Sequence, residues 1–483
     1  NGGTNAATGG SGGVFTYDFP HAGAPGGGAN GIVTGFGGGG ISLSVMDTLQ
    51  LDGQISANGL NITNSNAGAG SGGGVSIGAR TIFGTGIISA NGGAASGLGG
   101  GGGGGAIAFF ADTNLFSGSL SAFGGGGFNF GGAGTIYLSR FTQSKFNAQV
   151  LIDNGGNRGA KTPLQFQTDV ADLTITGGAT ATNGVILSAT LRNLTVGSNS
   201  VLQFGPSLAS PILSTLNVTS NVTIAAGGAI SSDGVNASSS SSQGQTLNST
   251  GGGGAGAGTG GASALGALGG TPANDSITSP ISSGGRGGIG TVVVNGSGGF
   301  GGGPLKLIVG GTLRVDGKFS SDGIIGTNLN GGGGGGGSLS LSTKVFSGTG
   351  VISANGGPGN AAGGGGGGGH IAVTYSTNLF TGSLTARGGG GANFGGAGTI
   401  FLTGNPALAG PVTSQLILDN GGVPAGSTPI TSLPQGDLSL TVTGGATLIN
   451  STVTSQIRNL FIGSNSTWFV SSVSPFTLTV QTN

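Results

Sequence analysis

The residues able to do chemistry are few, and those that recur do so in pairs. Asp153 and Asp419 sit in matching D-N-G-G strings, and Arg192 and Arg458 in matching R-N-L strings. Cutting a polysaccharide needs Asp, Arg or Lys clustered in a groove as general acid and base. One active site need occur only once, so groups repeated in both copies read as structural parts. The two histidines, His21 and His370, occupy non-equivalent places, with Ala106 opposite His370. A lone His at a strand start reads as incidental rather than as a ligand. With no cysteine, disulfides and thiolate metal sites are absent. GGRGG at 284–288 and the many G-x-G-x-x-G matches are trivial in so glycine-rich a chain, and no helix follows to cradle a phosphate. The nonapeptide that binds calcium is also missing, because the glycine runs lack Asp. No catalytic residue, cofactor or metal site is therefore expected, and the chain is not read as an enzyme.

What recurs instead is turn chemistry. Asn58, Asn91 and Asn355 occupy one slot in the string S-A-N-G, and Asp233 and Asp322 occupy it in S-S-D-G. Asn and Asp tolerate the left-handed backbone and cap turns with their side chains. Stacked Asn can also form an amide ladder. A ligand or calcium role for these residues is the competing reading.

The slot belongs to a long repeat. Residues 85–138 return at 349–402 without a gap, with 38 of 54 positions identical. The match extends outward: DTLQLDGQISANG (47–59) pairs with GTLRVDGKFSSDG (311–323), and LRNLTVGSNS (191–200) with IRNLFIGSNS (457–466). Tandem self-similarity of this kind marks an elongated repeat architecture. The first long repeat spans 1–264, with a Ser/Gly-rich excursion at 234–264, and the second, incomplete one spans 265–483. Asn1 is equivalent to Leu265 and Asn483 to Asn221, so the sequence reads as a segment of a longer array or a processed subunit whose ends meet the next.

Composition excludes several classes. Glycine supplies 119 of 483 residues, but no regular Gly-X-Y period is present, so collagen is excluded. Charged residues are 5% of the chain, and every acidic one is Asp. Without Glu, and with few Lys or Arg, almost nothing favours a helix. Net charge is zero, which gives no electrostatic reason to bind nucleic acid or an anionic membrane. No apolar run approaches the roughly 20 residues of a membrane span. A neutral surface favours self-association. The N-x-S/T sequons, Asn61 and Asn193 among them, are common enough in so Asn- and Ser-rich a chain to arise by chance.

A shorter unit lies inside the long one. PLKLIVGGTLRVDGKFSSDG (304–323), SLSLSTKVFSGTGVISANGG (338–357) and HIAVTYSTNLFTGSLTARGG (370–389) share one design of alternating apolar residues and turns. Each is the size of one coil of a parallel β-helix. The expected fold is all-β with almost no α-helix: a right-handed parallel β-helix, or β-solenoid, read as one continuous stack. Phe83 or Ile82 would play the part of Phe346, and Phe116 that of Phe380, in apolar ladders along the axis.

Glycine runs fall after the A-N-G-G turn, at 99–105, 331–337 and 363–369, with looser runs at 23–40 and 251–303. In stacked coils they leave one shared edge. They read either as flexible solvated loops, since glycine is costly to order, or as an ordered layer of polyglycine II helices bonded to one another. The Ser/Gly-rich stretch 234–270 reads as a longer excursion or a mobile loop.

The string GTGxISANGG, a glycine run, an I-A-led strand and GGGGxNFGGAGTI is similar to the glycine-rich repeats of large secreted bacterial surface proteins, the autotransporter- and adhesin-like parallel β-helices. The resemblance covers roughly 40–220 and 304–483. It implies an extracellular or cell-surface fibrous role and transfers no catalytic residue. The glycine runs alone resemble those of polyglycine-helix proteins such as phage tail-tip adhesins and an arthropod antifreeze. The expected function is a structural protein of an extracellular filament or surface fibre, with other copies of itself, head to tail, as partner. The alternative is an adhesin that grips a glycan, a surface or ice through its glycine loops or exposed Phe.

Overall fold

The computed structural model describes residues 34–482, except for 64–65, 141–147, 165–170, 184–187, 205–212, 236–241, 292–296, 405–412, 435–436, 452–453 and 472–474. His21 and the first part of the 23–40 glycine run lie outside these residues. Every described element is a strand. The chain divides into two compact units, one of residues 1–203 with 218–230 and the other of residues 204–217 with 231–483.

In the first unit the strands Gly40–Gln50, Gly74–Gly84, Ala106–Phe116 and Thr135–Ser139 pair in that order, all parallel. Ala148–Asp153 joins the row antiparallel to Thr135–Ser139, and Ala171–Thr176 and Ser188–Val196 follow it parallel. A second row stacks Gln54–Ser56, Ile87–Ser89 and Ser119–Ser121, and a third pairs Lys161–Leu164 with Thr180–Asn183.

The second unit repeats the plan. Leu305–Val315, Ser338–Gly348, His370–Phe380 and Thr399–Gly404 are parallel, Thr413–Asp419 is antiparallel to the last of them, and Asp437–Thr443 and Asn459–Ile462 continue parallel. Beside this row stack Lys318–Ser320, Val351–Ser353 and Ser383–Thr385, and further along Ser427–Ile430, Thr447–Asn450 and Thr467–Val470.

Two features differ from an all-parallel stack of 20-residue coils. In each unit one pairing of the main row is antiparallel, 135–139 with 148–153 and equivalently 399–404 with 413–419, and the short strands Thr246–Leu247 and Thr250–Gly251 pair antiparallel as well. Rungs also differ in length. Where a glycine run is included, equivalent positions lie 33 residues apart, as Asn58 and Asn91 do; beyond the reversal they lie closer, 20 apart for Ala171 and Leu191 and 24 apart for Thr413 and Asp437. The glycine run is thus a part of the longer rung.

Period-2 alternation builds the core, because successive strand side chains point to opposite faces. In Leu305–Val315 the residues Leu305, Leu307 and Val309 are buried while Ile308 between them is exposed. In the first unit Val75, Ile77, Ile82, Ile107 and Phe109 meet in one cluster, and in the second Leu416, Leu418, Leu440, Val442 and Leu448 meet in another. Burying each such side chain contributes about 1.5–3 kcal/mol. Gly84 and Gly348 end equivalent long strands at φ of 123° and 117°, where a Cβ would lie 2.2 and 2.1 Å from the carbonyl oxygens of Leu51 and Val315. Only glycine fits both the backbone and the space.

Candidate functional site

The recurrent turn residues form a ladder from side chain to backbone. Asn58 Oδ1 accepts the Asn91 N–H at 2.7 Å, and Asn91 Oδ1 accepts the Phe123 N–H at 2.7 Å. In the second unit Asp233 Oδ1 accepts Asp322 N–H, Asp322 Oδ1 accepts Asn355 N–H, and Asn355 Oδ1 accepts Arg387 N–H, at 2.7–2.8 Å. Each side chain therefore satisfies the amide of its counterpart one rung on. The amide groups do not stack on one another: Asn91 Nδ2 donates to Ser121 Oγ and Asn355 Nδ2 to Thr385 Oγ1. Nor do these residues adopt positive φ, which among the described asparagines belongs to Asn66, Asn199, Asn248, Asn330 and Asn465 instead. Asn and Asp are used here as short acceptors, not as left-handed turn formers.

The sequence reading missed the last members, Asn154 and Asn420. Their Oδ1 atoms accept from Gly124 and Gly388 at 2.7 and 2.8 Å, closing the ladder across the reversal. Their signal was in view, since each follows the paired Asp153 and Asp419. Those carboxylates cap the adjacent turns, accepting from Gly155 and Gly421 at 2.9 Å. Arg192 pairs with Asp172 and Arg458 with Asp437, each one rung apart. The hydrogen bond from Arg192, then hydrogen bonds from Asn193 and the charge of Arg192, hold the Asp172 carboxyl below the usual range against the opposing effect of burial.

Lys318 lies between two ladder carboxylates, 2.8 Å from Asp322 and 3.4 Å from Asp233. Burial disfavours its ammonium, but hydrogen bonding and charge from Asp322, then Asp233, hold its pKa above the ordinary value. Among the described residues no group of three or more His, Cys, Asp or Glu converges as a metal site would need.

Phe346 and Phe380 stack with ring centroids 4.5 Å apart. They are not ladder partners: Phe346 pairs with Asn378 and Phe380 with Gly348, so the rings meet on the diagonal. In the first unit Ile82, fully buried, takes the place of Phe346, and Phe116 packs on Phe109 at 5.8 Å. Phe83 is the half-buried neighbour.

The glycine runs are hydrogen-bonded with a period of three. Gly364 and Gly367 donate to Gly251 and Gly254, Gly365 and Gly368 to Asn393 and Gly396, and Gly366 and Gly369 to Gly357 and Ala354, all at 2.7–2.9 Å. The carbonyls repeat the pattern, with Gly364 and Gly367 accepting from Gly333 and Gly336, and Gly365 and Gly368 from Gly261 and Gly258. The stretch 251–288 belongs to this layer and is no loose loop: Gly254 donates to Gly333, and Gly285 and Gly288 donate to Ala255 and Gly252. A Cβ on Gly366 would lie 1.9 Å from Gly334 O, so the contact between runs demands glycine.

His370 is buried beside a cavity of about 190 Å³ lined by Asp275, Thr399, Thr428, Ile277 and Pro429. Its Nδ1 lies 2.7 Å from Thr399 Oγ1. Burial lowers its pKa, and the charge of Asp275 only partly opposes this. Asp275 itself accepts from the Ile281 and Ser282 amides at 2.9 and 2.7 Å, which ties down its loop.

No family model matches the chain, and no curated protein matches it. One solved structure aligns, described as a possible adhesin C-terminal domain from Caldicellulosiruptor kronotskyensis. It is 9% identical over 92% of this chain and 91% of that one, with a TM-score of 0.13, too low to imply a shared fold.

Proposed function

We propose that the chain is a structural protein: a right-handed β-solenoid, braced by a layer of polyglycine II helices, that builds an extracellular filament or surface fibre by head-to-tail stacking. The observation that carries this reading is an internal comparison of rungs. Ile41, Leu43 and Val45 in the first described rung are half-buried, whereas their counterparts Leu305, Leu307 and Val309 are 1%, 1% and 4% exposed. In the second unit Ile462 is 44% exposed, whereas its counterpart Val196, covered by Val222–Ile224, is 0% exposed. Phe461 and Phe469 are exposed beside it. Rungs that leave apolar side chains and strand edges open invite another rung. The threefold hydrogen-bond period of 363–369 is that of a polyglycine II helix, which has three residues per turn and no internal bonds.

Electron microscopy of purified protein tests the proposal. Uniform fibres with an axial spacing of about 4.8 Å between strands support it; discrete monomers at high concentration refute it. A bacterial cell-surface location follows from the same reading and is tested by surface labelling of producing cells.

The adhesin reading draws on exposed apolar side chains at equivalent places, Leu115 with Leu379 and Ile87 with Val351. Binding to a glycan array or to ice, lost when Leu115 and Leu379 become Ser, would favour it.

A further inference from the structure

The two repeats build one strand register with different side chains at one place. In the second unit Ser338, His370 and Thr399 stand opposite one another in adjacent parallel strands. The same column in the first unit is Gly74, Ala106 and Thr135. The fold therefore needs neither the hydroxyl of Ser338 nor the imidazole of His370. Ser338, His370 and Thr399 are all buried. Burying polar groups costs free energy unless they find partners. Polar replacements that the strand register does not ask for point to a use beyond the fold.

His370 and Thr399 form the floor of the cleft of about 190 Å³, with Thr428, Ile430 and Leu433. Ser338 reaches the carboxylate of the same cleft, donating to Asp275 Oδ2 at 3.4 Å. Two segments wall it. One brings Asn274, Asp275 and Ser276, the other Thr431 and Ser432. Asn274 Oδ1 accepts from Thr431 Oγ1 at 3.3 Å, joining the walls. Asn274, Ser276, Thr431 and Ser432 are exposed, so the rim is open to solvent above a buried floor. Ile277 and Pro429 add apolar surface beside the hydroxyls.

The lining decides among ligand classes. Burial keeps His370 neutral at pH 7, so Asp275 carries the one charge of the described lining. An anion would meet a carboxylate and no cation. A hard metal ion seeks about six to eight oxygen ligands, and the Asp275 oxygens already accept from the Ser276, Ile281 and Ser282 amides. The abundant groups are amide and hydroxyl, which both donate and accept. A cavity of about 150 Å³ holds a benzene ring. One of about 190 Å³ has room for a saturated six-membered ring bearing hydroxyls.

We infer that this cleft binds a single neutral hexose ring. His370 and Asp275 meet ring hydroxyls, the imidazole through Nε2 because Nδ1 is engaged by Thr399. Ile277 and Pro429 pack against the C–H face of the sugar. The assignment is independent of the fibre reading, since no contact between copies enters it, and it uses neither Leu115 nor Leu379.

The test is a titration of the full chain with glucose, galactose and mannose. It runs to about 100 mM, because so small a ligand should bind with a dissociation constant in the millimolar range. Saturation-transfer NMR reports the bound sugar, and the imidazole resonances report the place. The chain has two histidines, so His21→Ala assigns the signal of His370. The expected result is saturable binding of at least one hexose, with a matching shift of the His370 signal. His370→Ala copies Ala106 of the first unit and should fold, with binding weakened about ten-fold or more. Thr431→Trp, on the exposed rim, obstructs the cleft without touching the core and should abolish binding. No saturable binding of any of the three sugars overturns the inference, as does binding that both variants leave unchanged. A saturable response to phosphate or butylammonium without one to hexose overturns it too.

Discussion

Asp233 Oδ1 accepts the amide of Asp322 at 2.7 Å although 89 residues separate them, against 33 for Asn58 and Asn91. The whole glycine-rich excursion is therefore spliced into one rung without breaking the ladder. The second repeat also differs from the first at the same spot in a coupled way. Asn58 and Gln54 are replaced by Asp322 and Lys318, which pair at 2.8 Å. A charge enters the ladder only with its counter-charge.

That coupling is measurable. Asp322→Asn and Lys318→Gln should each destabilise the protein slightly, and the double change, which restores the first-repeat pair, should cost less than their sum. The coupling expected for a part-exposed pair is about 0.2–1 kcal/mol. A double-mutant cycle on the denaturant midpoint decides it, and strict additivity would show that the pair is inert.

Removing the acceptor is a harsher change. Asp322→Ala leaves the Asn355 amide, Ser353 Oγ and Lys318 short of a partner. A lost partner in a part-buried network costs about 1–3 kcal/mol. Chemical denaturation should show this loss, with Asp322→Asn retaining most of the stability.

Glycine in the layer is a steric requirement. Gly366→Ala places a Cβ 1.9 Å from Gly334 O, whereas Gly404 has nothing within 4 Å of its Cβ position. The first substitution should cost about 1–3 kcal/mol or more, and Gly404→Ala about 0.5 kcal/mol or less. Equal midpoints for the two variants would count against a close-packed layer.

Phe346 is fully buried and stacked on Phe380. Phe346→Ala should cost about 3–5 kcal/mol. Phe346→Ile, which copies Ile82 of the first unit, should cost much less. Thermal midpoints compare the two.

His370 makes stability depend on pH. Burial depresses its folded pKa, so it stays neutral while the unfolded imidazole, with pKa about 6.5, takes up a proton. The unfolded state then binds more protons, and stability is lost as pH falls below about 6.5. The drop in melting temperature between pH 7.5 and pH 5.5 should shrink in His370→Ala, whose counterpart in the first unit is Ala106. An unchanged drop would assign the effect to other groups.

The strand pattern was legible because alternation is local: Leu305, Leu307 and Val309 declare their face in five residues. The ladder was legible as a recurring slot at Asn58, Asn91, Asp233, Asp322 and Asn355, but its chemistry was not. An Oδ1 that accepts an amide one rung away depends on stacking distance, which no local string encodes. The order of 251–288 was hidden for the same reason. Gly254 is held by Gly333 and Gly364 by Gly251, contacts between segments far apart in sequence, while glycine composition alone points to a loose loop. The reversals at 139–148 and 404–413 left no signature, since the strands on either side carry the same alternation.

The three directions in which 363–369 is bonded have a mechanical meaning. A β-ladder resists pulling along its stack but can be sheared by peeling its bonds singly from an edge. In this run successive residues anchor to Gly251 and Gly254, to Asn393 and Gly396, and to Gly357 and Ala354 in turn, so sideways load in any direction is shared by many bonds at once. Glycine, the softest residue in an isolated chain, here acts as cross-bracing.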